Sequence, residues 1–532
     1  MAGASCGAVV DTARRRGAAA QLQRPARWPT LARIVATRVA WLLALVPFAL
    51  LVTWHWSLAP LLDAGDYAQY LLHARALIQG RPYSDIGYIY TRFNPVIGPA
   101  VYPPGLPLTL APILAIAGPD PALLKLLMVI SAAIFLVLAG RYFARHEGYW
   151  MGLGVVVIAG ASLELGYATN VVMSDLGFCA LVWGIAVIAD APGPWDTRRT
   201  VLITLLGLAT MAYRLVGLIL VPVLLVFTVV RFRQHRYRPA TAPAVWLGAL
   251  LLALVLMGPM SHAWLTAMSL ANPASHTPFL RLLRRMAAYH FTVFESYVYP
   301  FPWRGLNFAY HIASALLMTV GLAVWTRASW RSFVVVFTAL YSAVILIVPV
   351  VDGRYLWPLL PIFVFGLLNG IKRVVLTARR TWQPDRGARV AFATVASLVA
   401  LALITHRRQP PPPTLLDRPD VRQLLAYLRE RRAREPLRMV FVNPRVLTWE
   451  TGIPAMPPFY GGPDTIVAEL RRKYISHVVD HNLAERSLGT LSLRQAIAAR
   501  PDDFALEYRN PTFTVYRFVK IHLAPAPALV DH

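Results

Sequence analysis

Long apolar runs separated by short polar segments dominate residues 35–405 of the chain. Crossing the hydrocarbon of a bilayer takes about 20 apolar residues in a helix. The first run, Val35 to Leu58, reaches that length. It is too long for a signal-peptide core, and no small-residue cleavage site follows it, so it reads as an uncleaved first span. Ala122–Phe143, Trp150–Tyr167, Leu176–Ala189, Val245–Ala263, Phe308–Trp325, Phe333–Val351, Tyr355–Ile371 and Val390–Ile404 continue the pattern.

Two segments depart from it. Leu106–Ala117 is apolar but too short to cross, and Pro103-Pro104-Gly105 before it and Gly118-Pro119 after it mark an interfacial helix. Val201–Val230 is basic at both ends, so both ends belong on the same side and the run must go out and back. Its natural break is Tyr213-Arg214-Leu215-Val216-Gly217, which puts Arg214 near the outer face. Counting this pair, about eleven spans result.

The arginines and lysines supply direction. They gather in short segments such as Arg198-Arg199, Arg231–Arg238 and Lys372–Arg389, which the positive-inside rule assigns to the cytoplasm. Residues 1–34 then form a disordered basic cytoplasmic tail, residues 35–405 a membrane domain, and residues 59–120 and 264–306 long outer loops. Arg281, Arg284 and Arg285 run against this scheme, although long loops carry less weight. Within a last domain of residues 406–532, the part beyond Pro410–Pro413, residues 414–532, alternates polar helices (Val421–Arg432, Thr465–Tyr474) with short apolar strands (Met439–Asn443, His477–Asp480, Phe513–Phe518). Parity places this small α/β domain outside. The fold class is a polytopic α-helical membrane protein with a C-terminal α/β domain.

Composition agrees. Of 532 residues, 57% are hydrophobic and 15% charged, more apolar surface than a soluble core hides. The net charge of +26 is dispersed among the segments between spans, with no compact basic domain of interleaved aromatics, which argues against nucleic acid. Cys6 and Cys179 lie in different settings and form no scaffold.

Ionisable residues at span ends are costly unless solvated or paired, and so are candidate functional groups. By the topology above they share the outer side: Asp63 and Asp66, Asp175, Arg214, Asp352 and Arg354, and Glu295 in the second outer loop. Carboxylates can accept a proton from a hydroxyl while guanidinium groups neutralise a departing phosphate. Plainer roles stand beside these: Asp63, Asp66 or Asp175 as helix N-caps, and Arg354 as a partner of Asp352 alone. Helical spacing after Asp66 (Tyr67, Tyr70, Leu71, Ala74, Leu77, Ile78) gives an amphipathic surface helix stopped by Gly80. The histidines, His73 among them, have no metal-binding spacing and read as incidental.

Several of these pieces resemble the GT-C membrane glycosyltransferases, in particular the bacterial branch with aminoarabinose, galacturonosyl and protein O-mannosyl transferases. The matching runs are Asp66-Tyr67-Ala-Gln-Tyr70, Ala74-Arg75-Ala-Leu77 and Gly80, then Tyr102-Pro103-Pro104-Gly105, Ser174-Asp175, Arg214 to Gly217, and Arg354-Tyr355-Leu356-Trp-Pro358-Leu-Leu-Pro361. Together they cover residues 40–370. The resemblance implies a sugar moved from a polyprenyl-phosphate donor to a lipid, glycan or protein acceptor at the periplasmic face of a bacterial inner membrane. It implies catalytic roles for Asp66 and Asp175, with Asp63 in reserve, because Tyr67 stands where the family has a second acid. Arg214, Arg354, Tyr70 and Glu295 would bind substrate. No cofactor is required, though some members of the wider fold use a divalent metal. The other class to weigh is a transporter or flippase of lipid-linked sugars, and a third is an inactive scaffold. Transporters place polar groups near the midplane between inverted repeats; here the ionisable groups lie at span ends and a polar domain follows.

Overall fold

A computed structural model describes residues 31–56, 65–93, 102–193, 196–232, scattered positions between 245 and 288, 304–347, 352–405, 415–483 and 487–519. Asp63, Glu295, most of the Val245–Ala263 run and most of the basic tail lie outside the described residues. Residues 1–44 and 45–532 form two units, the first contributing the helix Leu31–Ala44.

Among the described residues, four helical stretches are long and apolar enough to cross a bilayer: Thr37–His55, Pro121–Glu147, Phe308–Ser329 and Gly353–Ala378. Gly105–Ala117, Tyr149–Gly160, Ser174–Ala189, Leu215–Val230 and Phe333–Leu346 are apolar but shorter. Pro121–Glu147 packs against Tyr149–Gly160 and Ser174–Ala189, and Arg304–Ser329 against Leu360–Ala378. Small residues let that last pair meet backbone to backbone, as membrane helices do. Gly321 faces Gly366 and Gly370, and the Asn369 amide donates to the Gly321 carbonyl at 2.9 Å.

The broken pair is present. Thr197–Tyr213 ends at an extended Arg214, a 3-10 turn spans Leu215–Ile219, and Leu220–Phe232 follows. The Gly105–Ala117 helix also has the expected limits, closed by Gly118. Trp150–Tyr167, by contrast, is not one rod: it divides into Tyr149–Gly160 and Leu163–Ala168 around Ala161-Ser162. The break falls where the apolar run gives way to Ser162, the N-cap of the second piece, and Glu164 in its first turn.

Residues 415–519 form a five-stranded sheet in the order β2-β1-β3-β5-β4, with Pro419–Arg434 and Pro444–Thr451 packed on one face and Pro463–Arg472 and Leu488–Ala499 on the other. Strands β1 (Met439–Val440), β2 (Ala455–Met456) and β3 (His477–His481) are parallel neighbours. Strands β4 (Phe504–Arg509) and β5 (Phe513–Phe518) form an antiparallel hairpin, with β5 against β3. The helices Pro444–Thr451 and Leu488–Ala499, together with β2 and β4, extend the elements predicted from sequence.

One expectation is corrected. The helix Asp66–Ile78 is not a surface helix, since every residue from Tyr67 to Ala74 is buried. Its outward face is covered: Leu72 and Ala76 pack with Ile86, Tyr88 and Trp449, and the Arg75 guanidinium lies 3.8 Å above the Trp449 ring. Ala455 of β2 makes parallel backbone hydrogen bonds with Gly87 and Ile89, at 3.0 and 2.8 Å. The free edge of the sheet is thereby covered by the loop that follows the Asp66 helix.

Candidate active site

Asp66 is the first residue of its helix, and Gly65 is the N-cap. Its carboxylate caps nothing; it points at cations. Oδ1 accepts from the Tyr102 hydroxyl and from Arg445 Nη1 at 3.0 Å, and Oδ2 accepts from Arg354 Nη1 at 3.2 Å. Arg445 Nη1 also donates to the Tyr102 oxygen at 2.7 Å. Burial pushes the Asp66 carboxyl up, but Arg445, the Tyr102 hydroxyl and Arg354 outweigh it and hold it below the usual carboxylate range. Burial, and then the Asp66 charge, push the Tyr102 phenol well above its ordinary value, so it remains a donor.

Arg354 lies where a 3-10 turn, Gly353–Leu359, opens a long helix. Asp352 caps that turn by accepting from the Arg354 backbone N–H at 3.1 Å, and its Oδ2 stands 2.7 Å from Arg354 Nε. Arg354 therefore serves Asp352 and Asp66 together.

The second group is Asp175 with Arg214. Asp175 lies in the first turn of Ser174–Ala189, is buried, and forms an ion pair with Arg214 from the break in the span pair. Asp175 Oδ2 is buried with no hydrogen-bond partner among the described residues. Neighbouring Ser174 is hydrogen-bonded to the Tyr70 hydroxyl at 2.9 Å, and the Tyr70 ring meets Tyr102 edge-on, 5.4 Å between centroids. Tyr355 joins the groups from the other side: the Arg214 and Arg354 guanidiniums stand 5.6 and 5.8 Å from its ring centroid. Three carboxylates and three guanidiniums thus form one connected site, with Asp175 in the first turn of the apolar helix Ser174–Ala189 and Arg214 at the break in the span pair.

His73 supports this arrangement. It is fully buried, and its Nδ1–H donates to the Tyr83 carbonyl at 2.8 Å, which leaves Nε2 to accept from Gln69 at 2.8 Å. Tyr83 stacks on the His73 ring and donates its hydroxyl to the Tyr102 carbonyl at 2.8 Å. The sequence reading of His73 as incidental misses this role, because nothing local distinguishes a bridging histidine from a loop one.

No protein-family model matches the chain, and no curated protein matches it in sequence. Solved structures do. The structure of ArnT from Cupriavidus metallidurans bound to undecaprenyl phosphate is similar over 93% of this chain and 100% of its own, with a TM-score of 0.54 and 14% identity. The archaeal oligosaccharyltransferase AglB from Archaeoglobus fulgidus, in complex with an inhibitory peptide and a dolichol-phosphate, is similar over 93% of this chain and 76% of its own, with a TM-score of 0.56 and 10% identity. The chain has the GT-C fold.

Within that fold, the structure brings together Asp66, Asp175, Arg214, Arg354 and Tyr70 of the residues singled out from sequence. It adds Tyr102 and Arg445. Tyr102 was visible only as the opener of a short helix, and Arg445 belongs to a helix, Pro444–Thr451, that carries no signal of its own. Among the described residues no three His, Cys, Asp or Glu side chains stand close enough to share a metal ion, and Asp66 and Asp175 are each paired with a guanidinium.

Proposed function

We propose that the protein is a glycosyltransferase that moves a sugar from a polyprenyl-phosphate carrier to a hydroxyl of a lipid, glycan or protein at the periplasmic face of the inner membrane. The observation that carries this reading is the convergence of Asp66 with Arg354, and of Asp175 with Arg214, at helix ends. Undecaprenyl phosphate and dolichol-phosphate in the solved neighbours support the same class of ligand. The ion pair of Asp66 with Arg445 supports reading residues 406–532 as a periplasmic domain beside the outer loop of a membrane domain (35–405), with residues 1–34 as a cytoplasmic tail.

The reaction is a single displacement with inversion. Asp66 accepts the proton of the acceptor hydroxyl as its oxygen bonds to the anomeric carbon, and the bond from that carbon to the phosphate oxygen breaks. Both electrons of that bond leave with polyprenyl phosphate, whose charge is held by Arg354 and Arg214. Asp175 fixes Arg214. Asp63 and Glu295, outside the described residues, remain a reserve base and a contact for the acceptor.

Purified protein supplied with labelled polyprenyl-phosphate sugars and envelope lipid or peptide extracts tests the reading. A new glycosidic bond with release of polyprenyl phosphate supports it. Movement of the labelled lipid between leaflets with no bond made would establish the transporter instead.

A further inference from the structure

Resting on the phosphate-ligand reading above, we infer that Arg445 is a third phosphate-binding guanidinium, which the carrier's phosphate draws away from Asp66 on binding. The C-terminal layer delivers this residue, and donor binding itself releases the base.

Three observations converge. First, Asp66 is over-supplied with donors: its Oδ1 accepts from both Arg445 and Tyr102 while Oδ2 accepts from Arg354. A carboxylate so engaged is a poor proton acceptor until one donor leaves. Second, Arg445 has capacity to spare. Its side chain is only 11% exposed, and its Nε has no hydrogen-bond partner among the described residues. A phosphate presents several oxygens to a planar guanidinium and competes well against one carboxylate oxygen.

Third, the chain is shaped to seat this arginine. Gly65 adopts φ +58°, and a Cβ there would stand 3.1 Å from Arg445 Nη2 and 3.3 Å from Asn443 Oδ1. Gly87 adopts φ +74°, and a Cβ there would meet Thr448 Cγ2 at 2.6 Å. Both glycines belong to the segment around the Asp66 helix, and both face the helix that carries Arg445 or the residue before it. The strand-like pairing of Gly87 and Ile89 with Ala455, the Arg75–Trp449 stack and the Thr91–Glu469 hydrogen bond of 3.0 Å fix the same docking. A buried ion pair contributes little to stability compared with apolar packing of similar volume. Its place against the proposed base is better explained by ligand exchange.

Binding of a sugar-free polyprenyl phosphate to the full-length protein in nanodiscs tests the inference without relying on turnover. Arg445→Gln is expected to weaken binding by roughly ten- to a hundredfold, the loss of a charge-assisted contact, and Arg445→Lys to restore part of it. Asp66→Asn is expected to tighten binding several-fold, because the carboxylate no longer competes for the guanidinium, and the gain should shrink in the Asp66→Asn/Arg445→Gln double variant. If Arg445→Gln binds as the parent does while Arg354→Gln does not, the phosphate reading survives and the role of Arg445 is overturned. Should Arg445→Gln fail to fold, Asp66→Asn decides: unchanged or weaker binding overturns the exchange. No binding by the unmodified protein removes the phosphate reading itself.

Discussion

Asp66 and Arg445 are separated by 379 positions, yet the guanidinium donates to the carboxylate at 3.0 Å. The contact makes the C-terminal layer part of the site, and it depends on a backbone that only glycine adopts easily at position 65. Gly65→Ala should therefore lower stability by about 1–3 kcal/mol through the strained φ alone, while also crowding Arg445. The check is the thermal unfolding midpoint of the detergent-purified variant. A midpoint and a transfer rate both equal to the parent's would contradict the docking described here.

Asp175 and Arg214 are both well buried, so neither tolerates the loss of its partner. Removing one side of such a pair costs about 3–5 kcal/mol, because a buried charge is left uncompensated. Arg214→Gln and Asp175→Asn should each fold poorly. The double variant should regain much of the lost stability and still transfer no sugar. Expression level, unfolding midpoint and transfer rate, read together, separate the two effects.

At the opposite end of the Ser174–Ala189 helix, Asp190 serves structure only. Its carboxylate accepts from the Phe333 backbone N–H at 2.9 Å and from the Tyr142 hydroxyl at 2.8 Å, tying three helices together. Asp190→Ala should destabilise the fold by about 1–3 kcal/mol, leaving buried donors without an acceptor. The rate per folded molecule should be unchanged. A specific loss of rate would show that the two ends are coupled.

Burial lowers His73 from the ordinary 6.5 to about 4, so the ring is neutral at pH 7. The sign follows from the unfolded state binding the proton more readily. His73 contributes stability above pH 6.5 that is lost as pH falls toward 4, by about 3 kcal/mol. His73→Asn keeps a donor for the Tyr83 carbonyl and removes the titration. It should lower the unfolding midpoint at neutral pH and flatten its fall between pH 6.5 and 4.

Much of the membrane part was legible because hydrocarbon thickness and charge placement are strong constraints. Arg198-Arg199 and Arg231 at the two ends of an apolar stretch argue for a break between them, and the helix is interrupted at Arg214. The cap ambiguity at Asp66 could not be resolved from sequence, since it turns on Gly65 taking the N-cap position. The burial of the Asp66 helix was hidden for a related reason. Its Leu72 and Ala76 are covered by Trp449 and Tyr88, which reach them through tertiary contacts that no local pattern encodes. Arg445 is the extreme case, one arginine among many until the sheet edge meets the Gly87–Ile89 loop.

The most direct test of the central claim is the single-turnover transfer rate of Asp66→Asn with a saturating polyprenyl-phosphate sugar. Loss of a general base predicts a fall of about 10²–10⁴-fold, with donor still bound. Transfer at the parent rate by the folded variant would contradict the account.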